Sequence, residues 1–269
     1  MRHSIESTLH HFSHALSNAL ISEKIAARQT LLQKIDVRIR LIGTLLLLIA
    51  VVLSHTYRGI LVLLAIALCL AILSGVSLFT LAKRVWTVVF LFTAVIAFPA
   101  LVLTPGPPIS SAFGHFQVTE TGLRTAILLV LRVETAITIT AVLVLSTPWN
   151  KLLLATRALG LPAEIVTILG MTHRYIFLLL ETASQMFESR KSRTVGILHN
   201  ADQRSGAGKT AAVLMMKTMD LGNDVYTAMI ARGFSGEARI LEEPRLRSRD
   251  FIALLAFASA AFFCFWIGR

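Results

Sequence analysis

Little in this chain is charged. Only 15% of its 269 residues are Asp, Glu, Lys or Arg, whereas soluble domains average about 25%. Cysteine is nearly absent. Cys69 and Cys264 both fall inside apolar runs, which excludes a CxxC-type metal cluster and leaves them as small hydrophobes. The first 35 residues lack the apolar core of a cleavable leader, so no signal peptide is expected. The hydrophobic stretches lack strict in/out alternation, which favours helices over barrel strands.

What is present is hydrocarbon. Hydrophobic side chains make up 55% of the chain, and residues 41–53, 60–71 and 85–103 are almost continuously apolar. A bilayer core about 30 Å thick takes about 20 such residues per helix. Within it every backbone polar group must be paired inside the segment. The expected fold is therefore an all-α integral membrane protein with about five transmembrane helices. They are read at 36–54, 60–76, 85–103, 122–145 and 251–267. Between the first two, His55-Thr56-Tyr57-Arg58-Gly59 is a hinge. Residues 77–84 are a polar turn, and Thr104-Pro105-Gly106-Pro107-Pro108 ends the third span. Ser146-Thr147-Pro148 closes the fourth and reads as a helix start, with a hydroxyl cap and proline in the first turn.

The organisation that follows has four parts. Residues 1–35 form an amphipathic N-terminal segment, with Leu9, Phe12, Leu16 and Leu20 at helical spacing. Residues 36–146 hold the first four spans, 147–249 a large polar insert, and 250–269 the last span. His3, His10, His11 and His14 sit in the first part, but no carboxylate or cysteine joins them, so a solvated helix face is the reading. The net charge of +11 would suggest nucleic acid in a soluble protein; its placement here points elsewhere. With the insert in the cytoplasm, 22 of the 26 lysines and arginines lie inside: six up to Arg40, Lys83 and Arg84, and fourteen from Lys151 to Arg249. That is the positive-inside pattern. Residues 165–180 are nearly apolar, but His173 and Arg174 in their middle argue against a sixth span.

Two helix ends in the insert stand out. One closes a helix beginning near Pro162 with Glu188-Ser189-Arg190-Lys191-Ser192-Arg193-Thr194-Val195-Gly196. The other closes a helix beginning near Gly208 with Ala228-Met229-Ile230-Ala231-Arg232-Gly233-Phe234. Arginine there opposes the negative end of the helix dipole, and Gly233 suits a left-handed cap. The helix before Arg232 also presents Val213, Met216, Leu221, Val225 and Met229, a stripe that fits either a repacking interface or ordinary core. Ser205-Gly206-Ala207-Gly208-Lys209-Thr210 looks like a phosphate-binding loop, but Gln203 stands where its first glycine belongs and no apolar strand precedes it. A flexible inter-helix loop is expected instead. Arg132 and Glu134 are unusual at membrane depth. They are two apart and cannot simply pair with each other, so contacts to another helix are as plausible as an ion path.

Taken together, these blocks resemble the transmembrane T component of energy-coupling factor transporters, the CbiQ/EcfT family, and its cobalt and nickel branch most closely. The matching residues are Leu31-Leu32-Gln33-Lys34-Ile35-Asp36-Val37-Arg38, Thr172-His173-Arg174-Tyr175-Ile176-Phe177, and the two charged helix ends with Val225-Tyr226-Thr227 ahead of the second. The resemblance implies helical spans plus long cytoplasmic coupling helices carrying two Ala-Arg-Gly-type signatures. It implies no catalysis by this chain and no cofactor. Its partners would be two ABC-type ATPase subunits and a substrate-binding membrane subunit, a CbiM-like S component. The location would be a bacterial or archaeal cell membrane, with no nucleic acid involved. Ala231-Arg232-Gly233 matches the second signature. The first departs from it, as Ser189-Arg190-Lys191 or Ser192-Arg193-Thr194, so Arg190 and Arg193 both stand as candidates. A self-contained carrier using Arg124, Arg132 and Glu134 is the competing reading, although carriers usually show internal repeats and none is found.

Overall fold

The computed structural model describes residues 32–75, 78–103, 108–113, 116–194, 200–235 and 248–268. The histidine-bearing N-terminal segment lies outside the described residues. The chain divides into two compact units, one of residues 25–155 and 244–269, the other centred on Thr156–Glu243.

The first unit is a helix bundle. Its elements are α1 (Val37–Leu53), α2 (Tyr57–Leu73), α3 (Thr87–Leu103), α4 (Glu120–Ser146) and α8 (Ser248–Gly268). Helix α4 packs against α1, α2 and α3, while α8 packs against α1 and α2. Asp36 starts α1 by accepting the Arg38 amide at 2.9 Å, and Thr119 starts α4 by accepting the Gly122 amide at 3.2 Å. Each side chain satisfies one of the amides a helix start leaves unpaired. The core joins Leu47 and Val51 of α1, Leu63 and Ala67 of α2, Ile139 of α4, and Phe257 and Cys264 of α8. Small residues set the spacing. A Cβ on Gly43 would meet the Phe257 ring at 2.6 Å, so α1 and α8 approach more closely than side chains would allow.

Among the described residues, α4, α8 and Ala163–Arg193 are long and apolar enough to cross a membrane, and α2 and part of α3 are shorter apolar helices. Large apolar side chains of α3 and α8 face outward, with Leu91, Phe92, Leu255 and Trp266 about 70% exposed. Aliphatic and aromatic exteriors of this extent belong in lipid. This is an all-α membrane protein.

Three local expectations change. The second helix starts at Tyr57 and ends at Leu73, so the hinge is shorter than read: the Ser54 hydroxyl donates to the Ala50 carbonyl, the Thr56 hydroxyl to the Gly268 carbonyl at the end of α8, and only 54–56 break the helices. Residues 78–86 are no polar turn. Leu78–Leu81 is helical and runs through a π turn, Ala82–Trp86, into α3. The Trp86 indole donates to the Thr138 hydroxyl of α4 at 3.0 Å, and such a tether favours a widened turn over a break. Finally, the connection from 104 to 120 contains a two-stranded antiparallel hairpin, β1 (Pro108–Phe113) and β2 (Phe116–Thr119).

The insert begins with α5 (Trp149–Ala158), which ends at Gly160 in a left-handed conformation (φ 106°) before Pro162. The second unit's principal elements are α6 (Ala163–Arg193) and α7 (Asn200–Ala231). Here the glycine-rich run is corrected too. Ser205 to Thr210 lies within α7, which starts at Asn200 and not near Gly208. Glycine costs a helix only about 1 kcal/mol per residue, and packing against α6 offsets it.

Candidate functional site: a helix pair with charged ends

Helices α6 and α7 run antiparallel. At one end Arg190 packs on Gly206; toward the other, Glu164 to Leu179 of α6 face Thr218 to Phe234 across a cleft of about 710 Å³. The two signature arginines therefore sit at opposite ends of a rod whose 31 residues span about 45 Å. Ala183, between the cleft and Arg190 on α6, is buried.

The cleft is apolar. Ile168, Met171 and Tyr175 line one wall, and Leu221, Val225 and Met229 the other. The stripe read on α7 thus divides: Leu221, Val225 and Met229 turn inward, while Val213 and Met216 are exposed. The α6 wall was not anticipated, because its periodicity is masked by apolar residues on every face. Ile165, Ile168, Leu169, Ile176 and Leu178 are exposed large hydrophobics.

Polarity within both helices is largely internal. Thr167, Thr172 and Thr182 of α6, and Thr210, Thr218 and Thr227 of α7, donate their hydroxyls to the carbonyl four residues back at 2.8–3.0 Å.

The end of α7 is built by its sequence. Gly233 adopts φ 81°, a conformation that costs other L-residues about 1–2 kcal/mol. Its amide donates to the Ile230 carbonyl at 2.9 Å, and the Phe234 amide donates to Met229 at 3.0 Å. This is the Schellman arrangement, with the usual apolar contact between the residue after the glycine and the last turn. Phe234 and Met229 both line the cleft. The cap turns the chain away beneath Arg232, which stands exposed beside exposed Ala231 and Gly233.

The end of α6 is different, having no glycine. Thr194 is extended (φ −93°, ψ 115°), and its hydroxyl donates to the Arg190 carbonyl at 2.8 Å. Ser189 and Ser192 donate to Met186 and Ser189 carbonyls at 3.0 and 2.9 Å. The Thr194 amide donates to the Lys191 carbonyl at 3.3 Å, while the three hydroxyls bond back to carbonyls within the last turns, as serine and threonine do in helices. Arg193, the last helical residue, is exposed, whereas Arg190 is half-buried against Gly206.

A second polar cluster lies in the bundle, where three helix ends meet. The Arg40 side chain is buried, with Nη1 donating to the Ser146 carbonyl at 3.4 Å and the Thr147 hydroxyl at 3.1 Å. Gln33 donates to the same Ser146 carbonyl at 3.3 Å, and the Asp36 amide donates to an Asp250 carboxylate oxygen at 2.9 Å. The entries to α1 and α8 and the exit of α4 are clipped together. Arg132 reaches another helix, its Nη2 donating to the Ser54 carbonyl at 2.7 Å where α1 ends. Arg124 lies 5.5 Å from the centre of the Tyr57 ring. Both Glu134 carboxylate oxygens are buried without a hydrogen-bond partner. Among the described residues, no three His, Cys, Asp or Glu side chains gather as a metal site would require.

The apolar exterior of the helix bundle defines a helical membrane protein. The chain belongs to the CbiQ family of cobalt transport proteins, whose sequence model matches residues 28–242. It is 35% identical to an uncharacterized protein of Methanocaldococcus jannaschii over 254 residues, 93% of this chain and 87% of that protein. An energy-coupling factor transporter transmembrane protein EcfT of Leuconostoc gelidum subsp. gasicomitatum is 28% identical over 62% of this chain and 67% of its own length. A cobalt transport protein CbiQ of Rhodobacter capsulatus is 30% identical over 43% of this chain and 47% of its own length.

Proposed function

We propose that this chain is the transmembrane T subunit of an energy-coupling factor importer, passing ATP-driven motion to a separate substrate-binding membrane subunit. The cargo fitting its branch of the family is cobalt or nickel. The observation that carries the reading is the rod: two arginines on helix ends, at opposite extremes of one stiff helix pair. Two such contacts about 45 Å apart suit a pair of ATPase subunits, one at each end. Arg232 and either Arg193 or Arg190 would each grip one subunit, using a planar guanidinium that suits carboxylates and carbonyls at a buried interface. Ala231 and Gly233 keep the approach to Arg232 uncrowded. The chain itself performs no catalysis in this scheme and holds no cofactor.

The cleft supports the other half of the coupling. It is apolar, open and lined by two methionines, which suits an apolar helix of the substrate-binding membrane subunit, CbiM-like in this branch. The topology follows the cation count: residues 1–35 and 147–249 face the cytoplasm of a bacterium or archaeon, with α6 lying outside the set of spans. The carrier alternative loses support from the bundle, where Arg132 is tied to Ser54 and Arg124 lies over Tyr57.

The test is Arg232→Ala in the assembled complex. Membrane abundance should stay near wild type while metal uptake is lost and the ATPase subunits no longer co-purify. Near-normal uptake would overturn the proposal.

A further inference from the structure

Two arginines compete for the first signature, and their surroundings differ. The Arg190 guanidinium occupies the volume that a Cβ on Gly206 would fill. Gly206 belongs to the run that resembles a phosphate loop yet is helical. Its lack of a side chain is what admits the arginine. Arg190 is half-buried and Arg193, one turn on, is exposed. Ala183, seven residues before Arg190, is buried, and toward the opposite end the pair opens into the cleft.

We propose that Arg190 is a positioning residue, a pin on Gly206 that sets the pivot from which α6 and α7 diverge, and that Arg193 alone is the gripping arginine of the first signature. The assignment of a grip rests on the coupling reading above; the pin does not. A guanidinium is suited to this place because it is planar and can lie against backbone while its edge donates to other groups. Lysine, with a tetrahedral ammonium, cannot lie flat in the same slot. The pin also relates the two ends of the rod. The spread of the cleft depends on the angle set at Gly206.

The test separates the two parts. Spin labels are placed at Glu188→Cys and Lys209→Cys, both exposed, in a full-length chain with Cys69→Ala and Cys264→Ala, and their distance distribution is measured in detergent. Gly206→Ala should lengthen and broaden it, as should Arg190→Ala and Arg190→Lys. The double variant Gly206→Ala, Arg190→Ala should be no worse than Arg190→Ala alone, since the new methyl then enters vacated space. Arg193→Ala should leave the distribution unchanged and weaken ATPase-subunit capture by about tenfold or more. An unchanged distribution in Gly206→Ala overturns the pin. Wild-type distances in Arg190→Ala with capture abolished would overturn the assignment by making Arg190 the gripping residue. A widened distribution in Gly206→Ala with wild-type capture by Arg193→Ala upholds the pin and removes the coupling reading beneath it.

Discussion

Gly233 offers a direct way to ask whether helix-end geometry, apart from charge, aims Arg232. Its φ of 81° costs an L-residue about 1–2 kcal/mol, which is roughly a 5–30-fold loss in the population of the capped end. Asparagine tolerates this region best among non-glycine residues, and a β-branched side chain worst. Unwinding the cap would release the 2.9 and 3.0 Å bonds to Ile230 and Met229 and withdraw Phe234 from the cleft. The series Gly233→Asn, Gly233→Ala and Gly233→Val leaves Arg232 and every charge in place. If the coupling proposal holds, affinity of the purified chain for an energy-coupling ATPase subunit should stay close to wild type for Asn. It should fall by about 5–30-fold for Ala and further for Val. Amide exchange at residues 233 and 234 should accelerate in the same order. Binding by Gly233→Val as tight as wild type, with exchange accelerated, would refute the claim that the cap aims the arginine.

Two further outcomes follow from the bundle. Arg40→Ala takes the donor from the buried Thr147 hydroxyl, at about 1–3 kcal/mol, while the Ser146 carbonyl keeps its bond from Gln33, so the melting temperature in detergent should drop; an unchanged value would remove the clip. Gly43→Ala drives a methyl into the Phe257 ring, which lies 2.6 Å from that position, at about 1–3 kcal/mol; Phe257→Leu in the same chain should recover part of the loss, and simple additivity of the two changes would contradict the close approach.

Much of the architecture is legible in the sequence because lipid imposes one requirement on every span. Long apolar runs between Asp36 and Leu103, and again after Phe251, can satisfy their backbones only as helices, and helices stand there. Asp36 and the Ser-Thr-Pro step announce helix starts through local chemistry, and Gly233 announces a helix end. What the sequence conceals is what distant residues supply. The glycine-rich run around Gly206 reads as a loop because propensity counts glycine against a helix, yet Arg190, 16 positions earlier, fills the vacancy. Lys83 and Arg84 read as a turn because two cations break an apolar pattern, while the Trp86 bond to Thr138 keeps the backbone wound. The clip at Arg40 joins residues more than a hundred positions apart, and no window of sequence brings them together. The α6 wall of the cleft is hidden by apolar residues on all sides of that helix.

The threonines of α6 and α7 have one more effect. A hydroxyl that donates to its own backbone spends its one proton there and meets solvent or a partner only as an acceptor, so these helices offer fewer donors than their letters suggest. Whatever docks beside these threonines must bring the donor to the contact itself.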